Sequence, residues 1–161
     1  MRKLIITILS LVTFGFGSVQ AQDAFGSTVD LSPDYYIGTA LGLNGGNAAF
    51  FLHFGMNDLI TEGVGTRFSV GYHGRAFGLG GDVIANLPVN TQNTPIGIYA
   101  GAGLGVAFYE STNVNIGVLV GAEYRFENFR EGGVFAELGP AFSITGHGTS
   151  LNLKAGFNYH F

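Results

Sequence analysis

Residues 115–126 read Asn-Ile-Gly-Val-Leu-Val-Gly-Ala-Glu-Tyr-Arg-Phe. Taken two at a time they separate into Ile116, Val118, Val120, Ala122, Tyr124 and Phe126 on one side, and Asn115, Gly117, Leu119, Gly121, Glu123 and Arg125 on the other. A strand sends alternate side chains to opposite faces, so the segment predicts a strand lying between two different environments. The preceding stretch behaves alike, with Ile96, Ile98, Ala100, Ala102, Leu104, Val106 and Phe108 set against Gly97, Tyr99, Gly101, Gly103, Gly105, Ala107 and Tyr109. Period two recurs almost everywhere after residue 34, and no helical period competes with it. The pattern predicts eight strands over 35–43, 47–57, 66–74, 76–87, 96–109, 114–126, 133–144 and 151–161.

The apolar face of these segments carries no charged residue. The other face carries Arg67, Asp82, Glu123, Arg125, Glu137 and Lys154 together with most of the strand glycines. A soluble barrel would turn its bulky apolar residues inward and its charges outward. Here the small and charged residues suit a crowded interior and the bulky apolar ones suit lipid. A sheet crosses a bilayer only when it is closed, because an open edge leaves backbone groups unpaired in hydrocarbon. The expected fold is therefore all-β, a closed antiparallel eight-stranded transmembrane up-and-down β-barrel.

Composition narrows the class. The chain is 47% apolar and 11% charged with 27 glycines, too apolar for disorder and too poor in charge for a soluble surface. It has no cysteine, so no disulfide holds it together. No internal run reaches the roughly 18 apolar residues that a transmembrane helix requires. Arg2 and Lys3, the apolar run from Leu4 to Phe16 and the small-residue stretch ending Val19-Gln20-Ala21 have the pattern of a secretory signal peptide. Cleavage is expected after Ala21, giving a leader at 1–21, a periplasmic segment at 22–34 and a barrel domain at 35–161. Losing Arg2 and Lys3 takes the basic count from 7 to 5 against 11 acids, a net charge of −6 that excludes nucleic acid as an expected partner.

The final segment alternates as well. Phe161, Tyr159, Phe157, Ala155, Leu153 and Leu151 fall on one face. Its ending resembles the C-terminal targeting signal of outer-membrane β-barrel proteins, with Lys154 at the polar position, then Gly156, Tyr159 and Phe161. Together with the strand pattern, residues 35–161 resemble the small eight-stranded outer-membrane barrels of the OmpA and OmpX type. The resemblance implies a Gram-negative envelope, localisation in the outer membrane, contact with its lipid, and recognition of the last strand by the barrel insertion machinery. Phe161 is then also an anchor in the interfacial aromatic girdle. Two features depart from the family pattern. Pro140 interrupts the seventh strand and suggests a bulge or a misplaced pair. The outer connections, near 44–46, 74–75, 110–113 and 145–150, are short and the periplasmic ones longer, which argues against adhesion or receptor roles.

Several groups invite a chemical reading. Gly101, Gly103 and Gly105 align loosely with a nucleotide-binding turn, but no helix follows them. Their steric reading is better: inward glycines leave room for Tyr36, Phe51, Tyr99 and Phe135 to pack across a narrow lumen. His53, His73 and His160 share inward parity, yet His73 and His160 belong near opposite ends, too far apart for one metal. His147 and Ser150, in a polar outer loop, match two members of a lipid-deacylating Ser-His-acid set without an acid partner in view. The six strand charges balance three against three. Buried charges must pair, so they predict a neutral, plugged lumen rather than a selectivity filter, which expects a surplus of one sign.

The expected function is thus an integral outer-membrane barrel with a structural or envelope role, monomeric, without cofactor, metal or catalytic residues. A porin-like barrel that transports or binds a small or apolar solute is the alternative. A lipid-modifying enzyme centred on His147 and Ser150 is the third reading.

Overall fold

The structure, a computed structural model, describes residues 35–88, 95–146 and 148–161. The expected leader at 1–21, the 22–34 segment and His147 lie outside the described residues. Eight strands follow in order: β1 (Tyr35–Asn44), β2 (Asn47–Thr61), β3 (Val64–His73), β4 (Ala76–Leu87), β5 (Ile96–Phe108), β6 (Thr112–Phe126), β7 (Phe129–Ser143) and β8 (Thr149–His160). Each runs antiparallel to its neighbours and β8 returns to pair with β1, closing an up-and-down barrel. Pairing begins from tight turns. Gly45 and Gly46, both at positive φ, make the two-residue β1–β2 turn that matches the twist of the strands it joins.

Following cross-strand partners round the barrel shows how far the strands tilt. From Tyr35 the path runs through Met56, Thr66, Val83, Ala102 and Val118. Past Pro140 it reaches Leu151, whose carbonyl accepts a hydrogen bond from the Gly45 amide at 3.4 Å. One circuit therefore climbs from one end of β1 to the other, the stagger that closure of eight tilted strands demands.

The inside-out assignment holds along every strand. Val118 and Val120 are 51% and 50% exposed on the outer surface, whereas Leu119 between them turns inward. Inside, Arg67, Arg125, Glu137 and Tyr99 are buried. An outer belt of this size, built from residues such as Leu41, Phe50, Phe68, Leu79, Leu138 and Leu153, is an apolar surface that water would not tolerate.

Strand ends differ from the sequence reading in an informative way. β2 continues to Thr61, β3 begins at Val64 and β7 begins at Phe129, so Glu62-Gly63 and Glu127-Asn128 are the whole of two connections at the Tyr35/Phe161 end. Only 88–95 is longer there, and the expected set of longer periplasmic connections reduces to that one. The cause lies in two irregularities that break the alternation. Pairing shifts between Met56 and Thr61, where Asp58 takes a positive φ and its carboxylate accepts from the Gly63 amide at 2.5 Å. A second shift falls at Arg125/Phe126. Consecutive residues such as Leu59 and Ile60 then both face outward, and a period-two reading stops short.

Pro140 leaves no bulge. Gly117 pairs with Ala141 and Val120 with Leu138 in one unchanged register, and the ladder merely skips the pairs between them. On the other side Pro140 pairs with Leu151 without interruption. The missing proline donor thus falls on the β6 side, where Gly139 lets the backbone of Val118 come close; a Cβ there would collide with the Val118 carbonyl.

Candidate functional site

The barrel interior divides into two halves. Toward the Tyr35/Phe161 end it is crossed by a floor of buried polar side chains. Toward the Gly45 end it opens as a cup.

The floor begins with Arg67 on β3. Its Nε and Nη2 donate to Asp82 Oδ2 at 3.0 and 2.8 Å, and its Nη1 and Nη2 reach the two oxygens of Glu137, the second at 3.1 Å. Tyr99 donates its hydroxyl to Glu137 Oε1 at 2.9 Å. A guanidinium fork between two carboxylates fixes both, and burial makes such fixing necessary. Nearer the termini, Arg125 Nη2 donates to His160 Nδ1 at 2.8 Å. Arginine has no acceptor, so Nδ1 carries the lone pair and His160 Nε2 carries the hydrogen, donated to Glu123 Oε1 at 2.6 Å. Arg125 Nε lies 3.0 Å from that same oxygen. Asn158 Nδ2 donates to Glu123 Oε2 at 2.7 Å, which leaves its Oδ1 to accept from His53 Nε2 at 2.7 Å. Tyr36 closes the layer from β1, its ring 6.0 Å from that of His53 and 5.2 Å from that of His160. Every strand contributes.

Glycine makes the floor possible. A Cβ at Gly55 or Gly121 would fall within the Tyr36 or Tyr99 ring, and one at Gly71 or Gly156 would press on Phe51 or Phe135. Each of these glycines is the direct cross-strand partner of the aromatic it accommodates. The steric reading thus holds at Gly55, Gly71, Gly121 and Gly156 rather than at Gly101, Gly103 and Gly105, whose nearest atoms belong to Val83, Asp82 and Leu79.

Of the six strand charges, five enter the floor in two groups, Arg67–Asp82–Glu137 and Glu123–Arg125. Arg67 joins Asp82 and Glu137 while Arg125 lies with Glu123 nearer the termini, a division that counting residues along each strand does not show because it ignores the stagger. Lys154 stands apart: its Nζ lies 4.7 Å above the Phe51 ring, and no carboxylate among the described residues is within ion-pair distance of it. The sequence places Tyr99, His53 and His160 inward but does not join them to the charges, and Asn158, whose inward parity was the available signal, went unmarked.

The cup has a volume of about 420 Å³. Lys154, Phe51 and Asp82 form its base, and its walls carry Asn44, Asn47, Asn115, Ser143 and Asn152. His73 and Ser150 line it as well. On the far side of the floor lies a space of about 30 Å³, bounded by Tyr36, Arg67, Tyr99 and Arg125, room for about one water.

The four residues of the expected insertion signal divide between two surfaces. Lys154 and Gly156 point inward, while Tyr159 and Phe161 lie on the outside. The Phe161 ring stacks on Tyr35 at 6.3 Å and on Tyr159 at 6.4 Å, and its amide donates to the Tyr35 carbonyl at 2.9 Å. Phe54 and Phe129 extend the aromatic band to β2 and β7.

No protein-family model matches the chain, and no curated protein matches it in sequence. Solved structures do match. Neisserial surface protein A is similar with a TM-score of 0.63 at 16% identity, over 80% of this chain and 98% of that one. A de novo designed transmembrane β-barrel gives 0.60 at 14% identity, over 80% and 96%. The outer membrane enzyme PagL gives 0.54 at 11% identity, over 78% and 99%. The chain has the fold of the small eight-stranded outer-membrane β-barrels. A surface protein, a designed barrel and an enzyme share that fold, so the likeness extends to architecture and leaves function to the site.

Proposed function

We propose that this protein is an integral outer-membrane barrel that serves the envelope as a structural element, with a lumen sealed against solutes. The observation that carries the reading is the floor, in which side chains from all eight strands interlock across the lumen. A conducting barrel needs a water path, and eight strands leave an interior just wide enough for side chains to fill. Charges paired and hydrogen-bonded as these are cross-link the wall instead of lining a pore. In this reading the chain is exported by its leader, inserted through recognition of β8, and works as a monomer without catalysis.

Reconstitution tests the seal. In a planar bilayer the wild-type barrel shows little steady conductance, and liposomes carrying it do not swell in small sugars. Large, stable, ion-selective openings overturn the sealed lumen and put transport in its place. The insertion step has its own test. Phe161→Ser removes an interfacial ring, so export continues while the yield of heat-modifiable barrel in the outer membrane falls; an unchanged yield refutes the role of that residue.

A further inference from the structure

We propose that the cup binds an uncharged, polyhydroxylated solute of sugar size. The inference goes beyond the envelope role and does not depend on whether the floor seals. At about 420 Å³ the cup falls within the roughly 300–1,000 Å³ range of small-molecule sites. Its walls carry amides and hydroxyls from two sides of the barrel, set among glycines. Asn44 and Asn152 face each other as cross-strand partners of β1 and β8, and Asn115 is paired with Ser143 across β6 and β7. Amide side chains both donate and accept, which is what a ring of hydroxyl groups requires. Asn152 Oδ1 is buried beneath the cup surface with no hydrogen-bond partner among the described residues, so the amide must turn to meet a donor in the cup. Such an atom is costly until something donates to it.

Charge and shape favour such a solute over an ion or a purely apolar ligand. Among the described residues, Lys154, Asp82 and His73 are the ionisable groups that face the cup. Asp82 is held by Arg67, and the formal charges of Arg67, Asp82, Glu137 and Lys154 sum to zero, so the base as a whole carries no surplus of one sign. The large inward apolar group, the Phe51 ring, is covered by Lys154 on one face and packs on Gly71. The leucines of the wall direct their side chains outward.

The test is an isotope-labelled barrel in phosphocholine micelles, since a sugar-headed detergent would compete, titrated with maltose, N-acetylglucosamine, acetate, tetramethylammonium and decanoate. Both sugars are expected to give saturable shifts confined to amides around the cup, and the charged and apolar probes none. Asn152→Leu with Asn115→Leu weakens sugar binding by about tenfold or more, the loss of one or two buried polar contacts. Asn86→Leu, at the opposite end, leaves it unchanged, and heat-modifiable migration reports that each variant is folded. The inference fails if sugars give no saturable shift in wild type, if a charged or apolar probe is the one that binds, or if the double variant binds sugar like wild type.

Discussion

The two halves of this barrel share one backbone and differ only in what hangs inside it. Near the termini the inward positions are Tyr36, His53, Arg67, Tyr99, Glu123, Phe135, Glu137, Asn158 and His160. Near the hairpin end they are Gly42, Asn44, Asn47, Ser69, Gly78, Gly80, Gly105, Asn115, Ser143 and Asn152. The strand number, the stagger and the outer belt are common to both. Filling is thus a matter of side-chain size, and a barrel too narrow to be a pore by strand count can still hold a cavity where its inward residues are small. The contrast also separates two uses of glycine. In the floor glycine lies under a ring and lets it pack; in the cup it leaves space.

The largest expected effect tests whether the floor alone carries the interior stability. Arg67→Met leaves Asp82 and Glu137 buried without their cation and should destabilise the barrel by about 3–5 kcal/mol. Lys154→Met removes the other central cation, yet Lys154 is held only by the Phe51 ring, a contact of about 0.5–1 kcal/mol, and sheds its own desolvation cost. Urea titration in lipid vesicles measures both. Equal losses for the two variants would erase the distinction between floor and cup.

Outside, no such distinction is expected. Val120→Arg places a charge on the lipid face near the middle of β6 and should cost about 2–4 kcal/mol at the bilayer midplane. Leu119→Arg instead points into the lumen and is limited by packing. A spin label at each position reads the same parity: lipid-soluble quencher should reach residue 120 and not 119, and the reverse result would turn the barrel inside out.

Most of this architecture was legible in the sequence because its signal is periodic. Alternation such as that of residues 115–126 needs no long-range information, and it yields the strands, the closed barrel and the inward side of all six strand charges. What alternation cannot supply is register. Arg67 meets Glu137 from seventy positions away through the stagger of a closed sheet, and no local pattern encodes that meeting. The bulge at Asp58 hid the end of β2 for the same reason, since β2 takes five steps from Met56 to Thr61 where β3 takes two from Thr66 to Val64, and an odd excess reverses the parity on which the reading rests. The cup was readable in principle. Sorting inward residues by height as well as by face would have shown the small ones gathered at one end, whereas treating the six charges as one set concealed it.

The smallest effect expected concerns glycine and cuts most finely between the halves. Gly121 in β6 lies beneath Tyr99, and a Cβ built there falls among the ring carbons and the hydroxyl oxygen. Gly121→Ala must therefore push the Tyr99 ring off its site and weaken the hydroxyl's bond to Glu137 Oε1. Overpacking of this kind costs about 1–3 kcal/mol. Gly105 in β5 also faces inward, but in the cup, where the nearest atom to an added Cβ is the Leu79 carbonyl oxygen at 3.8 Å. That is ordinary contact. Gly105→Ala meets no obstacle and lowers the conformational entropy of the unfolded chain, so its effect should be neutral or stabilising by a few tenths of a kcal/mol to about 1 kcal/mol. The two substitutions add the same methyl group to the same face of adjacent strands and should differ in sign. Urea midpoints measured side by side in one lipid decide the matter. A shared loss would mean that the cup is packed as tightly as the floor, and a shared tolerance would mean that the Tyr99 ring yields freely and the floor is softer than its hydrogen bonds imply.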